Sequence, residues 1–150
     1  MMCPTMPRPT DSQLAAAPIF GRMSPTDRAL IADVSEVRFY TPGDVVFNEG
    51  DPAAVILTIL SGRVRVSSSA GGTPDLPQFL HAGDPLGDVG AFEGGPYPAS
   101  AVAVEPTECL LIPRSELFRL LEQHPTMVRG FVHGLTQRIV QLTTELRQPP

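Results

Sequence analysis

Residues 87–102 bring together residue types that can hold an anion. The stretch opens with Gly87, Asp88 and Val89, continues through a segment able to form a short helix, and breaks at a pair of glycines before an apolar strand. The first amides of a helix have no partner within the helix, so their N–H groups can donate hydrogen bonds to a bound anion. The order of loop, short helix and loop therefore predicts a cradle of the size of a phosphate group.

The same residues also have ordinary structural interpretations. Asp88 stands where an aspartate commonly caps a helix, and this role fits the sequence as well as ligand recognition does. Ala99 and Ser100 stand near the far end of the stretch, where they can belong to a site or simply begin a strand. Both interpretations stay open on the residues alone.

The segments around this stretch have the pattern of short strands. Between residues 37 and 112, apolar segments alternate with turns that contain Gly, Pro or Asp, which is typical of an all-β barrel or jelly roll. Residues 55–60 are almost wholly apolar, which predicts a strand covered on both faces, and residues 63–66 alternate arginine with valine, which predicts inward-facing valines. We also expect residues 101–104 to pair with residues 109–112 across a tight turn.

Helical signals flank these strands. Ser24, followed by Pro25 and then Asp27, has the pattern of a helix start, because a hydroxyl caps the first turn and proline is tolerated at its first position. After the strands, Ser115 is the expected N-cap of a helix that ends before Pro125, since the residue before a proline is disfavoured in a helix.

Beyond Pro125, apolar residues recur at alternating spacings of four and three. A stripe of this period is the heptad seam of a helix that packs against a like partner. The alternative is that the stripe packs only on its own domain, but such a helix usually has a broader apolar face, and polar residues dominate after residue 139. We therefore predict a parallel homodimer. The seam consists of Val128, Val132, Leu135, Ile139, Leu142 and Leu146.

Charge and hydropathy exclude several classes of protein. The net charge is −5 and the chain has no lysine, whereas binding to nucleic acid phosphates needs clustered basic residues. No apolar run approaches the roughly 20 residues of a membrane span, and the first residues lack the features of a secretion signal. We expect a cytoplasmic protein that has no membrane partner.

No catalytic or metal site is evident in the sequence. The three histidines, His81, His124 and His133, lack the His-x-His spacing of a metal-binding cupin. Neither a Ser/His/Asp set nor a phosphate loop occurs. The two cysteines, Cys3 and Cys109, are too few for a disulfide framework. We predict that the protein is not an enzyme and holds no metal.

Residues 87–102 resemble the phosphate-binding cassette of Crp/Fnr-type cyclic-nucleotide-binding domains. The family pattern is Gly-Glu-Leu with Arg-Ser/Thr-Ala beginning ten residues after the Glu; here Asp88 falls at the Glu, and Pro98, Ala99 and Ser100 fall at the last three. Four glycine-containing turns also occur in the order found in the family. The resemblance implies that Asp88 meets the ribose hydroxyl and that Pro98 replaces the arginine that clamps the phosphate. Losing such a charge-assisted hydrogen bond costs roughly 1.5–3 kcal/mol, a loss in affinity on the order of a hundredfold.

The resemblance implies a fold that is mainly β with flanking helices: a double-stranded β-helix (a cupin-like jelly roll) with a short N-terminal helical lead-in and a long C-terminal dimerisation helix. We divide the chain into a disordered leader at residues 1–11, the roll and its flanking helices at residues 12–123, and the dimerisation helix at residues 124–148. A DNA-binding domain would lie outside this chain. The residues that the resemblance places at the ligand are Gly87, Asp88, Val89, Ala99, Ser100 and Thr143.

The function implied is that of a non-catalytic sensory domain of a Crp/Fnr-type transcription regulator. Such a domain is a homodimer and reaches DNA only through a domain that this chain does not contain. The effector would be a cyclic nucleotide or another small anion, with cyclic AMP binding weak or lost, and no other cofactor is expected. The alternative is a stand-alone, ligand-free module for dimerisation or protein interaction on the same fold.

Overall fold

The computed structural model describes residues 8–17, 20–68 and 77–147. These residues form five helices and eight strands, and the strands lie in the middle of the chain. The first helix begins at the last residue of the segment assigned to the leader, and residues 1–7 lie outside the described part. In chain order the elements are α1 (Asp11–Ala16), α2 (Pro25–Val34), β1 (Glu36–Tyr40), β2 (Val45–Phe47), β3 (Val55–Ser61), β4 (Arg63–Ser67), β5 (Gln78–His81), β6 (Pro85–Leu86), α3 (Asp88–Glu93), β7 (Ser100–Ala103), β8 (Thr107–Pro113), α4 (Arg114–Gln123) and α5 (Pro125–Arg147).

The strands form two four-stranded antiparallel sheets. The order in one sheet is β1-β8-β3-β6 and in the other β2-β7-β4-β5. Most consecutive strands therefore lie in opposite sheets, as a jelly roll requires. This confirms the predicted fold, mainly β with flanking helices.

The predicted pairing between residues 101–104 and residues 109–112 is wrong. Strand β7 pairs with β2 and β4, whereas β8 pairs with β1 and β3 in the other sheet. The turn between β7 and β8 carries the chain across the roll and does not close a hairpin. Both strands are central in their sheets, so each already has two other neighbours.

The crossing from β3 to β4 packs against the crossing from β7 to β8. Gly62 turns the first crossing with φ +97°, and a Cβ atom on it would lie 2.5 Å from both the Pro106 carbonyl oxygen and Thr107 Oγ1. The Thr107 hydroxyl accepts from the Arg63 amide at 3.3 Å and donates to the Glu105 carbonyl at 2.8 Å. Only glycine combines this backbone conformation with so close a contact.

The hydrophobic core lies between the sheets and extends under the helices. Ile56, Leu57, Thr58 and Ile59 of β3 are all buried, which confirms a strand covered on both faces. Val64 is fully buried, as the alternation in β4 predicts. Helices contribute Leu14, Ile31, Leu117 and Met127 to the same core, and the turn between α1 and α2 contributes Phe20.

The start of α2 is set by local capping, whereas the start of α4 is set by a tertiary contact. The Ser24 hydroxyl accepts from the Asp27 amide at 3.1 Å, and Pro25 is the first residue of α2, as predicted. Helix α4 begins at Arg114 with Pro113 at its N-cap, so the predicted cap at Ser115 is wrong. The reason is that β8 runs directly into α4, where the Arg114 amide donates to the Ala54 carbonyl at 2.8 Å.

Burial should make the thiol of Cys109 unreactive. It is fully buried in β8, and desolvation, followed by the charge of Glu108, raises its pKa to about 12. At pH 8 the reactive thiolate is then on the order of one part in ten thousand. A Cys3→Ser variant should therefore resist iodoacetamide in its folded state and react readily in denaturing urea, as measured by mass spectrometry. Rapid labelling of the folded variant would contradict the buried position of β8.

Candidate functional site: the cassette and the long helix

Helix α3 forms the predicted single short helix of the cassette, the name we keep for residues 87–102. It begins after Gly87, which has φ +65°, and ends at Gly94, which has φ +76°. The Gly94 amide donates to the Gly90 carbonyl, so the last turn closes on itself. The helix is set between β6 and β7 and links the two sheets.

The start of the cassette lies against the ring of Tyr97. A Cβ atom on Gly87 would lie 2.6 Å from the Tyr97 ring, so a larger residue cannot be placed there without moving the ring. That ring stacks on Phe47 with centroids 4.0 Å apart, and its hydroxyl donates to the Val55 carbonyl at 2.9 Å. Burial raises the pKa of Tyr97. Tyr97 thus fixes the turn before α3.

The end of α3 is held by Arg114. Its Nε donates to the Ala91 carbonyl at 2.5 Å, and its guanidinium lies 4.7 Å above the ring of Phe118. Carbonyls at a helix C-terminus carry partial negative charge, so a cation is favourable there. Because Arg114 is the first residue of α4, this contact joins the cassette to the helices that follow the roll.

A cavity of about 160 Å³ lies beside the cassette. Its described lining is apolar apart from backbone groups and includes no cationic side chain. Two predicted ligand residues, Gly87 and Ala99, meet here, and Pro98 joins them at the edge. The lining residues are Phe47, Val66, Leu80, Pro85, Leu86, Gly87, Pro98 and Ala99.

The other predicted ligand residues do not line this cavity. The hydroxyl of Ser100 accepts from the Glu49 amide at 2.8 Å, so it ties β7 to the turn after β2. The hydroxyl of Thr143 donates to the Ile139 carbonyl at 2.8 Å within α5. Asp88 and Val89 are the first two residues of α3, and their side chains lie outside the described part.

Tyr97 and Arg114 are the contacts that sequence reasoning missed. The signal at Tyr97 is an aromatic residue between two prolines in a stretch of small residues, and such a residue needs a place to pack. Arg114 has a weaker signal, an arginine directly after an apolar strand. Neither signal identifies the partner, because Phe47 and Ala91 are distant in sequence from the residues that contact them.

One face of α5 packs on its own domain. Met127 and Phe131 are buried, and the Phe131 ring centroid lies 6.5 Å from that of Phe20. Gly130 approaches Met23 so closely that an added Cβ would lie 2.9 Å from Met23 Cγ. Met127 and Phe131 therefore pack on the domain, and the close approach to Met23 explains the glycine in the helix interior.

A second face of α5 carries the predicted seam. Val128, Val132 and Ile139 are 39%, 54% and 63% exposed. Leu135 is partly buried against the core of its own domain. The side chains of Leu142 and Leu146 lie outside the described part. An exposed apolar stripe beside the face that a helix buries on its own domain is typical of an interaction surface.

The described residues show neither a cluster of metal ligands nor a membrane-spanning helix. No group of three or more His, Cys, Asp or Glu side chains in this part of the chain is arranged to hold a metal ion. Among the helices of the same residues, none has the length and hydropathy that crossing a membrane requires.

A jelly roll with a short glycine-bounded helix in its wall, followed by a long helix, defines a class of regulatory ligand-binding domains. The family model for the cyclic nucleotide-binding domain matches residues 37–124. This chain belongs to that family. The match covers every strand from β1 onward apart from the first residue of β1, together with the cassette and α4.

Regulators of Crp/Fnr type are among the similar proteins. The chain is 28% identical over 134 residues to the cyclic AMP receptor protein of Thermus thermophilus, covering 89% of this chain and 62% of that protein. It is 25% identical over 137 residues to a CRP-like cAMP-activated global transcriptional regulator of Mycobacterium tuberculosis, covering 91% and 61%. These findings confirm the resemblance to a Crp/Fnr-type domain, and the chain spans less than two thirds of either relative.

Solved structures agree on the fold. The catabolite activator protein of Thermus thermophilus has a TM-score of 0.67 and 28% identity, with 86% of this chain and 61% of that chain covered. A cyclic nucleotide-binding domain from Methylobacillus flagellatus has a TM-score of 0.76 and 23% identity, with 90% and 79% covered. At 23% identity, the similarity to the Methylobacillus flagellatus domain concerns the fold alone.

Proposed function

We propose that the chain is the non-catalytic sensory domain of a Crp/Fnr-type transcription regulator and that its cassette binds cyclic AMP weakly or not at all. The observation that carries this proposal is the lining of the cassette cavity, in which no described residue is cationic and Pro98 stands at the edge. A cyclic nucleotide brings a phosphate charge that an apolar wall cannot compensate. The family membership supports the regulatory role.

The size of the cavity supports the same proposal. Its volume of about 160 Å³ is below the ~300–1,000 Å³ of typical small-molecule sites. The aromatic pair of Phe47 and Tyr97 occupies the space behind it, since Phe47 lines the cavity and Tyr97 stacks on it. A ligand of nucleotide size would have to displace side chains that are now buried.

Restoring a guanidinium at the edge of the cavity tests the lost clamp. We expect Pro98→Arg to raise the affinity for cyclic AMP by about 10-fold to 100-fold, the equivalent of one charge-assisted hydrogen bond. Isothermal titration of the unmodified chain and the variant measures this change. Pro96→Arg is the matched control, because Pro96 is exposed in the same loop but does not line the cavity. Micromolar binding by the unmodified chain would refute the proposal.

We further propose that the domain works as a parallel homodimer joined along the exposed face of α5. Ligand binding in the roll would then act by shifting the population between two packings of α5, which requires that the ligand bind the two packings with different affinity. Contact with DNA would come only from a domain outside this chain, and the protein would act in the cytoplasm. The exposed valines and Ile139 support the interface.

The second candidate is a ligand-free module for dimerisation or protein interaction. The small apolar cavity favours this alternative, because it suits a roll that binds no effector. Such a domain would act only through the surfaces that the roll presents to other proteins. A dimer that binds no cyclic nucleotide, and in which Pro98→Arg gains none, would favour this module over the sensor.

A further inference from the structure

A second and larger cavity lies on the other side of the Phe47–Tyr97 pair. It is a cleft of about 400 Å³ between β1 of one sheet and β2 of the other. Leu57 and Leu111 belong to its apolar wall, and Phe47 lines both this cleft and the cassette cavity. The sequence gives no motif for this cleft, because its residues come from four strands, the segment between β2 and β3, and Tyr97 of the cassette.

Arg38 gives the cleft a polar end. Its Nη2 pairs with Glu36 Oε1 at 2.6 Å, but its Nε is buried and has no hydrogen-bond acceptor among the described residues. Buried donors are almost always satisfied, so this N–H is available to an acceptor that enters the cleft. Tyr40 also lines the cleft, and burial, only partly offset by the charge of Arg38, raises the pKa of its phenol, which therefore stays protonated and able to donate.

The remaining polar groups limit which ligands fit. The Asp51 carboxylate and the Asn48 amide lie on the turn after β2 and also line the cleft. Asp51 repels an anion, so a ligand carboxylate belongs at the end formed by Arg38 and Tyr40. The apolar wall between the two ends suits a flat ring, which packs well against aromatic and leucine side chains.

We infer that this cleft is a second ligand site, distinct from the cassette cavity, that takes a small aromatic carboxylate. The carboxylate accepts from Arg38 Nε and the ring lies against Leu57 and Leu111. A ligand placed there also contacts Tyr97, whose ring contacts Gly87 at the start of the cassette. The site is therefore next to the cassette and does not require a nucleotide in it.

Sodium benzoate is the probe that tests this site. In the full chain labelled with ¹³C in its leucine methyl groups, benzoate should shift the signals of Leu57 and Leu111 in a saturable way. Leu80 lines the cassette cavity and not this cleft, and its signal should move much less. Benzamide has the same shape without the charge, and we expect it to bind at least about 10-fold more weakly, because hydrogen bonds to an ionised group are stronger.

Two variants and one control complete the test. Arg38→Gln should abolish the saturable shifts, and Ala54→Phe, which keeps Arg38 but fills the cleft from an exposed lining residue, should abolish them as well. Arg65→Gln removes an exposed arginine that does not line the cleft and should leave benzoate binding unchanged. The inference is overturned if benzoate gives no saturable shift, if only Leu80 responds, or if a folded Ala54→Phe binds as well as the unmodified chain.

Discussion

Ile139→Asp is expected to convert the proposed dimer into a monomer. Ile139 is 63% exposed in the isolated chain and lies at the middle of the seam. In a two-fold symmetric interface the substitution places two carboxylates near each other, and each unpaired buried charge costs about 3–5 kcal/mol. Dimer affinity should fall more than about a hundredfold. Light scattering should report a mass near the 16.1 kDa of one chain and not twice that value.

The matched control is Gln137→Asp. Gln137 is exposed two residues away on the same helix, at the heptad position opposite the seam, so it introduces the same charge without entering the interface. We expect the control to remain dimeric. Equal masses for Ile139→Asp and the unmodified chain would refute the seam, and dissociation of both variants would point to a general loss of helix stability.

Gly62→Ala is expected to lower the free energy of unfolding by about 2–5 kcal/mol. A Cβ atom at this position meets two backbone or near-backbone groups of the neighbouring crossing at 2.5 Å, and overpacking of this kind costs typically 1–3 kcal/mol. The positive φ adds roughly 1–2 kcal/mol for any residue with a side chain. Urea denaturation measures the change.

Gly50→Ala separates the two contributions. Gly50 has a similar φ of +90°, but no atom lies within 4 Å of the place its Cβ would take. We expect this variant to lose only about 1–2 kcal/mol, the conformational part. If both variants lose the same amount, an added Cβ at Gly62 meets no steric clash, which would contradict the close approach of the two crossings.

Strand positions could be predicted because they depend on local patterns. Residues 55–60 form an apolar run and residues 63–66 alternate arginine with valine. Both patterns are visible in the local sequence, and the structure has strands at both places. Pairing could not be predicted in the same way, because the partners of β8 are more than 45 residues away in β1 and β3. Strand β6 has only two residues, too few for any periodicity, and was missed.

The candidate site could be predicted in part for a similar reason. Gly87 and Ala99 were found from cassette spacing, and both line the cavity. The hydroxyl of Ser100 has a backbone partner in the turn after β2, a contact that spacing within the cassette does not reveal. Arg114 acts on a carbonyl 23 residues earlier in the chain, and only the folded roll brings the two together.

The central places of β7 and β8 have a consequence for how the protein is made. While a ribosome is still synthesising residues before β7, β1 and β2 have no partner strand, because their neighbours in the sheets are β8 and β7. Until the last two strands emerge, the unpaired edges of β1 and β2 can pair with other chains, so the nascent chain is exposed to aggregation during this period. Such long-range pairing also places refolding in the slow range of milliseconds to seconds, typical of all-β domains.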